Sequence, residues 1–430
     1  MNRTKFMWCV VALGMFAAAP AATQQTPPPD SVLVMLRDLQ RRLDSLQRVV
    51  AELRAANRDT SGPADELAAL RAAAQAAAGA PESQPDTAAG GSRTRDLQVL
   101  NPEISVTGDI VGSFQAPAGE RNSTTVVPRE FEFSFQAALD PYTRTKIFVT
   151  REEDFGIAGL PEEEGVEEET PGFEIEEGYM YWVGLPGGFG ARVGKFRQEI
   201  GLYNRWHSHA LLEIDRPLAT TTFLGEDGLI QTGLGISLPS LSIGPTTQTA
   251  TFEAAAGSND ALFAGGGGIT YLGRLQSFWD LGASYFQVGA TGVLGGNDEI
   301  DLDTKLLGLD ASFRWTPRGQ SLYRDLQLKA EWYFTEQTIA TDKLAGDGGY
   351  VQVNFRANRR WILGTRADFV SGFEDTPDIF QLVPSLSWWQ SEWVRIRLQY
   401  HYLKPAGIQG SHTLLLQTVW AMGPHKHESY

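Results

Sequence analysis

The chain has 430 residues, with 52 Asp and Glu against 36 Lys and Arg, a formal net charge of −16, and a single Cys. The acidic balance argues against a nucleic-acid partner, and one cysteine excludes a disulfide framework or a Cys-rich zinc module. The 45 Gly residues exceed the usual share of about 7%. With 10% aromatic residues and few long apolar runs, this composition is typical of many strands separated by turns.

The first residues have the organisation of a secretory signal peptide. Arg3 and Lys5 precede an apolar stretch at residues 6–19, and small residues follow through Ala22. An uncleaved anchor is the weaker alternative, because the stretch is shorter than the ~20 residues of a transmembrane helix. We predict that residues 1–22, which include Cys9, are removed on export.

A short α-helical coiled-coil stem is predicted at residues 30–58. Apolar residues recur there in alternating steps of four and three, as in a coiled-coil seam. These residues are Val32, Leu36, Leu39, Leu43, Leu46, Val50 and Leu53. A lone amphipathic helix packed on another domain is the alternative. Residues 59–100, rich in Ala, Pro and Gly, are predicted to form a linker.

From residue 101 to residue 430 the pattern is strand, turn, strand. Residues 130–139, 326–334 and 394–402 alternate apolar with polar side chains, as two-faced strands do. A water-soluble sandwich would also alternate. Ionised residues in the middle of strands, and aromatic residues at the ends of the apolar faces, instead favour a barrel with a wet lumen. We predict an all-β fold, a transmembrane antiparallel β-barrel of about 16 strands.

The predicted connections alternate in length, as they do in membrane barrels. If the first strand runs outward, tight turns fall at inner positions and long loops at outer ones. The inner turns are residues 140–142, 185–188, 358–359 and 390–391, and the outer loops are residues 116–127, 152–173 and 198–228. An even number of strands would return both ends of the barrel to the periplasm, on the side of the stem.

Several short segments carry a resemblance to a known family. They are residues 100–105, 138–142, 176–179, 185–188, 194–197, 201–204, 207–209, 215–218, 226–229 and 423–427, with Tyr430 at the end. The chain resembles porin-like outer-membrane barrels of Gram-negative bacteria, some of which are labelled zinc-regulated, TonB-dependent receptors. More loosely, it is similar to porins of the O/P type, which also carry a coiled-coil stem. The resemblance implies a cell outer membrane location and passive-channel behaviour.

Residues 198–228 form the third outer connection and the longest. In general porins the third loop folds into the barrel and narrows the pore, so this segment is the corresponding candidate. Its candidate constriction residues, with the last residue before it, are Arg197, Glu199, Arg205, His207, His209, Glu213, Asp215 and Arg216. The alternative is a surface loop whose charges are solvated.

Candidate lumen residues on the polar faces of the strands carry both signs. The basic candidates and one histidine are Arg192, Arg314, Lys329, Arg356, Arg366, Arg395, Arg397 and His401. The acidic candidates are Glu130, Glu132, Asp310, Glu331 and Asp368. Because neither sign forms a row, the pattern predicts no particular ion selectivity.

Two other groups of residues have alternative interpretations. The second outer loop is rich in Glu between residues 152 and 169, which is typical of a solvated acidic loop but could also bind Ca²⁺ or bridge lipopolysaccharide through divalent ions. The pairs His207 with His209 and His425 with His427 lack a third ligand in sequence, so hydrogen bonding in the loop and a solvated tail are favoured over a metal site. We predict no cofactor.

The leading functional hypothesis is a porin-like channel for passive diffusion of small hydrophilic solutes or ions, assembled as a homotrimer in contact with outer-membrane lipid and lipopolysaccharide. One alternative is a specific uptake barrel for a metal or metal complex. Another is a structural envelope anchor. The chain has no G-x-S-x-G, H-E-x-x-H or phosphate-loop motif, and we predict that it is not an enzyme.

Overall fold

A computed structural model describes residues 102–160, 172–266, 268–317, 319–320, 323–372 and 377–423. The predicted signal peptide, the stem at residues 30–58 and the linker lie outside these ranges. So do most of the acidic part of the second loop and the pair His425 and His427. The barrel predicted from residue 101 onward contains all of the described residues.

The described residues form seventeen strand segments, numbered in chain order. They are β1 Glu103–Ala116, β2 Ser123–Ala138, β3 Thr143–Glu152, β4 Glu174–Trp182, β5 Gly190–Arg197, β6 Ile230–Ser237, β7 Leu241–Ile243, β8 Thr246–Ala256, β9 Ile269–Asp280, β10 Ser284–Asn297, β11 Leu302–Trp315, β12 Asp325–Ile339, β13 Asp342–Arg356, β14 Trp361–Val370, β15 Ile379–Trp389, β16 Val394–Pro405 and β17 Ser411–Met422.

Segments β6 and β7 are two parts of one barrel strand. Both pair with β8, in a register that runs from Gly233 opposite Ala255 to Ile243 opposite Thr246. Pro239 lies in the break between them, where its lack of a backbone N–H interrupts the ladder. The barrel therefore has 16 strands, as the sequence predicts.

The sheet closes on itself. Each barrel strand pairs antiparallel with its neighbours in sequence, and β1 pairs with both β2 and β17. Along the seam Val106 lies opposite Met422 and Ala116 lies opposite His412. Closure removes the free strand edges, whose unpaired backbone groups are not tolerated in a hydrocarbon environment. We call the end of the barrel that carries Glu103 and Met422 the terminal end, and the opposite end the loop end.

The two faces of the sheet are inverted relative to a water-soluble protein. On β11, Leu307 and Leu309 are 47% and 45% exposed, whereas Asp310 on the opposite face is 6% exposed. On β16, Leu398 is exposed while Arg397 is buried. An apolar exterior around a polar interior is the arrangement of a transmembrane barrel, so the water-soluble sandwich is wrong. No helix among the described residues has the length and apolar character needed to cross a membrane.

The connections confirm the four predicted tight turns at the terminal end and correct the first outer loop. Strand β1 ends at Ala116 and β2 begins at Ser123, so this connection is residues 117–122 and not 116–127. Residues 123–127 instead extend the ladder, with Thr124 opposite Phe114 and Val127 opposite Val111. The alternation of length also fails at residues 340–341, a two-residue connection at the loop end, because β12 and β13 pair along their whole length.

Two short α-helices of the described residues lie in connections at the loop end, besides a single 3-10 turn at Ser208–Ala210. Helix α1 is Leu218–Leu224, within residues 198–229, and α2 is Asp260–Phe263, whose N-cap Asn259 accepts a hydrogen bond from Leu262 N. Together with inward-facing residues of the nearby strands, they form the largest apolar cluster of the described chain. Its fully buried members are Ile200, Leu218, Ala219, Phe223, Leu224, Leu229, Leu262, Phe263, Leu272, Val293, Leu306, Tyr333 and Val370.

Candidate functional site

The connection of residues 198–229 lies inside the barrel. Tyr203, Trp206 and His209 are each at most 3% exposed, although a connection of this length on a surface would be solvated. Its residues contact inward-facing side chains on strands from different sides of the wall, among them Glu331 on β12 and Glu130 on β2. We call this segment the lumen loop.

The lumen loop turns into the barrel at Gly201. This residue has φ +61°, and a Cβ there would lie 2.6 Å from Tyr333 Oη and 2.8 Å from Glu331 Oε2. The turn directs two backbone N–H groups at Glu331 Oε1, which accepts from Leu202 N and from Tyr203 N at 3.0 Å. Only glycine combines this conformation with such a close approach.

Burial and the neighbouring Glu213 raise the pKa of Tyr203 well above its ordinary value.

In the middle of the lumen loop, two histidines face carboxylates on β2 and β4. His207 Nδ1 lies 2.9 Å from Glu176 Oε2 and 2.9 Å from Glu132 Oε2. His209 Nδ1 lies 2.6 Å from Glu130 Oε1. Burial opposes protonation of both imidazoles, but the facing carboxylates outweigh it and raise the pKa of His207 well above its ordinary value and that of His209 less strongly.

The C-terminal part of this polar stretch is held by cations on the strands. Arg366 of β14 donates from Nη2 to Asp215 Oδ2 at 2.6 Å and from Nη1 to Asp215 O at 3.1 Å. Arg397 of β16 donates to Leu211 O at 2.6 Å. Although burial opposes ionisation, Arg366 lowers the pKa of Asp215 below its ordinary value. The loop backbone is therefore fixed by directional, charge-assisted bonds.

Ile214 lies at the seam of the barrel. Its side chain is fully buried against Val111 of β1 and Leu415 of β17. Its backbone N–H donates to Gln399 Oε1 at 2.9 Å, and its carbonyl accepts a hydrogen bond from Arg129 of β2. The loop thus touches both strands that close the sheet.

The side chain of Arg216 connects parts of the loop to each other, while its backbone carbonyl accepts a hydrogen bond from Arg366 of the wall. It donates to Trp206 O at 2.7 Å and to Tyr203 O at 3.3 Å. Burial and the nearby positive charge of Arg197 lower the pKa of Arg216 to about 10. Satisfied backbone carbonyls compensate in part for the burial of this charge.

A cavity of about 270 Å³ lies between the lumen loop and the turn that joins β4 to β5. Its wall includes Lys146, Tyr179, Arg192 and Glu199. A smaller cavity of about 30 Å³ adjoins the same residues and is also lined by Arg205. Lysine and arginine therefore outnumber acidic groups along this wall, whereas most of the carboxylates on the other side of the lumen loop are paired and buried.

Comparison with known proteins identifies the fold. No protein-family model matches the chain. An anion-selective porin from Comamonas acidovorans superposes with a TM-score of 0.51 at 11% identity, covering 75% of this chain and 99% of that one. OprB of Pseudomonas putida gives 0.50 at 11% identity over 77% and 97% of the two chains. The barrel has the porin fold.

Two further comparisons concern an outer membrane channel of similar fold and a protein of similar sequence. DcaP of Acinetobacter baumannii, described as an outer membrane channel, has a TM-score of 0.50 at 10% identity, covering 75% of this chain and 97% of that one. An uncharacterized protein of Aquifex aeolicus (strain VF5) is 30% identical over 274 residues, which are 53% of this chain and 56% of that protein. The chain thus spans little more than half of this curated relative. Fold and apolar exterior together indicate an outer-membrane protein.

Five of the eight predicted loop candidates are buried, and a sixth, Asp215, is partly buried against Arg366. His207, His209, Glu213 and Arg216 are buried in the lumen loop, and Arg197 is the last residue of β5, where it pairs with Glu176. Glu199 is partly exposed, 3.6 Å from Arg192. Arg205 is exposed and lies over the ring of Trp206. The eight therefore form one continuous segment but not one environment.

The predicted lumen residues on the strands also fall into two environments, one buried and one partly exposed. Four of them are buried, namely Arg366, Arg395, Arg397 and His401. The other four are partly exposed, namely Arg192, Arg314, Lys329 and Arg356. Asp325 accepts from both Arg314 and Arg356, at 3.2 and 3.1 Å.

Several important residues are absent from the predicted site. Glu176 and Glu177 carry part of the family resemblance but have no predicted role, although both contact His207. Asp109 pairs with Arg129 in the buried interior. Asp109 continues the polar alternation of Ser105 and Thr107 on β1, a signal that could have identified it.

Proposed function

We propose that the protein is an outer-membrane porin-like channel, through which small hydrophilic solutes or ions diffuse passively past the lumen loop. The observation that carries this proposal is the burial of the loop inside the barrel, bonded to Glu331, Glu130 and Arg366 on three separate strands. A loop fixed in this way would leave a passage of constant shape beside it, which is what a diffusion channel requires.

The passage we propose runs along the cavity wall that includes Lys146, Arg192 and Glu199. Glu253 and Glu199 both pair with Arg192, so its charge is largely balanced. Lys146 and Arg205 also line this region, and the field of the two side chains would attract anionic groups into it. Selection would then depend on these two side chains rather than on the buried pairs.

The assembly is part of the same proposal. We expect a homotrimer in contact with lipid and lipopolysaccharide around its apolar exterior, with the stem at residues 30–58 in the periplasm. Support for the stem comes from its heptad spacing, which would join chains that a trimeric barrel already brings together. Cross-linking of the purified protein, with and without residues 30–58, measures the oligomer directly.

The deciding experiment is single-channel recording in planar bilayers. Purified protein is expected to give discrete conductance steps, and replacement of residues 207–222 by a short Gly-Ser linker is expected to increase the step size, because it removes the buried loop from the lumen. Arg359→Ala, in an exposed turn at the terminal end, is the control and should leave conductance unchanged. Inserted, folded protein without steps would contradict the channel and favour a structural anchor.

A further inference from the structure

Four potential ligand residues meet where the lumen loop touches the wall. Glu130 and Glu132 come from β2, Glu176 from β4 and His207 from the loop, and we call them the Glu-His cluster. One ligand atom from each lies within 4.8 Å of all the others. All four side chains are at most 7% exposed, so bulk water does not solvate them. Elements far apart in sequence thus converge on a single buried point.

The carboxylate of Glu132 is buried and poorly supplied with donors among the described residues. Its side chain is 1% exposed, and its Oε2 lies 2.9 Å from Nδ1 of His207, a nitrogen that is equally close to Glu176 Oε2. Its Oε1 has no hydrogen-bond partner, since Nε2 of His209 is 3.9 Å away. A buried carboxylate oxygen without a donor is costly, and this one belongs to a residue at the centre of the cluster.

The cluster itself concentrates negative charge. Its three carboxylates, those of Glu130, Glu132 and Glu176, are buried and converge on one point. Arg197 pairs with Glu176, and the guanidinium group of Arg129 lies 3.9 Å from Glu130. A divalent cation would place positive charge where the three carboxylates meet and would contact all of them at once.

We infer that the Glu-His cluster binds one divalent transition-metal ion, for which Zn²⁺ is the first choice, and that this ion fastens the lumen loop to β2 and β4. Carboxylate oxygens and imidazole nitrogen bind Zn²⁺ at about 2.0 to 2.2 Å, which places neighbouring ligands in a tetrahedron about 3.3 Å apart. The separations of 2.9 Å from His207 Nδ1 to Glu132 and Glu176 need little adjustment to reach that spacing.

The second nitrogen of His207 supports this assignment. Nε2 lies 2.9 Å from Glu177 Oε1, so a carboxylate can accept the Nε2 proton when a metal ion replaces the proton on Nδ1, the nitrogen that faces Glu132 and Glu176. Such a carboxylate partner is the usual neighbour of a metal-bound histidine, since it fixes the tautomer and the ring orientation. An imidazole ligand also discriminates against Ca²⁺ and Mg²⁺, which prefer oxygen alone.

The test is a titration of the full-length protein in detergent, stripped with EDTA and then mixed with ZnCl₂ in a calorimeter. We expect one Zn²⁺ per chain at this site and a higher Tm in its presence, because the ion binds the folded state. Glu132→Gln and His207→Gln are each expected to weaken binding at least tenfold. Glu174→Gln, an exposed carboxyl two residues before Glu176, is the matched control and should bind like the wild type.

All of these proteins carry His425→Ala and His427→Ala, so that the C-terminal pair does not contribute. Absence of zinc binding, unchanged binding after His207→Gln, or equal affinity for Ca²⁺ would each overturn the inference. If a variant fails to fold, X-ray absorption of the zinc-loaded parent decides between one nitrogen with oxygen ligands, as expected, and two or more imidazoles, which would contradict the site. The result is independent of conductance, and therefore of the channel proposal.

Discussion

The two halves of the lumen loop are held in the barrel by different interactions. Residues 198–216 are fixed by hydrogen bonds and ion pairs, such as those that join Asp215 to Arg366 and His209 to Glu130. Residues 217–229 carry α1, which packs Phe223 and Leu224 into the apolar cluster at the loop end. The first, polar half also buries apolar side chains, Leu202, Trp206 and Leu211 among them, so it combines directed, charged contacts with buried area. The second, apolar half is held mainly by the area that α1 buries.

The ion pairs affect the position of the loop more than its stability. Burying an ion pair contributes little net free energy, because the loss of solvation offsets the attraction, but removing one partner is costly. Burying an aromatic side chain is favourable in itself, and both halves do so, with Trp206 in the first and Phe223 in the second. Buried apolar area in both halves therefore favours the position of the loop inside the barrel, while the ion pairs of the polar half determine where the loop runs.

The largest effect is expected from Arg366→Ala. Arg366 is fully buried between Asp215 and Asp368, with Nε 2.9 Å from Asp368 Oδ2, so its removal leaves two carboxylates without a cation. We expect the polar half to lose about 3 to 5 kcal/mol of stability. Hydrogen exchange should then rise in residues 203–216 but not in α1, and uniform protection of both segments would contradict the separation.

Phe223→Ala tests the apolar half and should have a nearly equal effect on stability. Phe223 is 2% exposed, and truncation of a buried Phe costs about 3 to 5 kcal/mol. Exchange is expected to rise in residues 217–229 and in α2, while residues 203–216 keep their protection. Thr222→Ala, the partly exposed neighbour, is the control. A simultaneous loss of protection in both halves would show that they form one cooperative unit.

Gly201→Ala tests the entry to the polar half. A side chain there would require a left-handed conformation and would collide with Tyr333 and Glu331, so we expect a loss of about 1 to 3 kcal/mol. Gly292→Ala is the matched control, because Gly292 lies on β10 with no atom within 4 Å of its added Cβ. Thermal unfolding of the two variants gives the comparison, and equal Tm values would contradict the proposed constraint.

The smallest effect on stability is expected from the double variant Lys146→Glu, Arg205→Glu. Neither residue is fully buried, so the free energy of unfolding should change by no more than about 0.5 kcal/mol. The reversal potential in a salt gradient should nevertheless move toward cation preference, since both charges line the proposed passage. Lys343→Glu, with a side chain 65% exposed at the loop end, is the control. An unmoved reversal potential would place the passage elsewhere.

Much of the fold follows from the sequence through one local rule. Phe131, Glu132 and Phe133 point alternately outward and inward because side chains alternate along a strand. This rule predicts the faces, the strand number and the tight turns. It fails at residues 123–127, where Ser123, Thr124 and Thr125 begin a strand although their composition resembles that of a loop.

The site is only partly predictable. The position of the lumen loop inside the barrel can be predicted from its length and from its rank as the third outer connection. Its charged residues can be read directly from the sequence. Its partners do not, because the contacts of His207 with Glu132 and Glu176 depend on the registers of β2, β3 and β4 and on the path of the loop. Spacing in the sequence carries no information about such contacts. These contacts matter for function, because a charge that is buried in an ion pair does not act on a solute.

The seam between β1 and β17 also constrains the order in which the protein folds. β17 is the last strand of the barrel, yet Ile214 packs between Val111 of β1 and Leu415 of β17. Contacts between such distant segments form slowly, because most of the chain must be organised first. Once the sheet has closed, residues 203–216 would have to enter through a narrow opening against their own hydrogen bonds. The lumen loop is therefore expected to take its place inside the barrel while β17 pairs with β1. The barrel would close and its lumen would become narrow in the same late folding step.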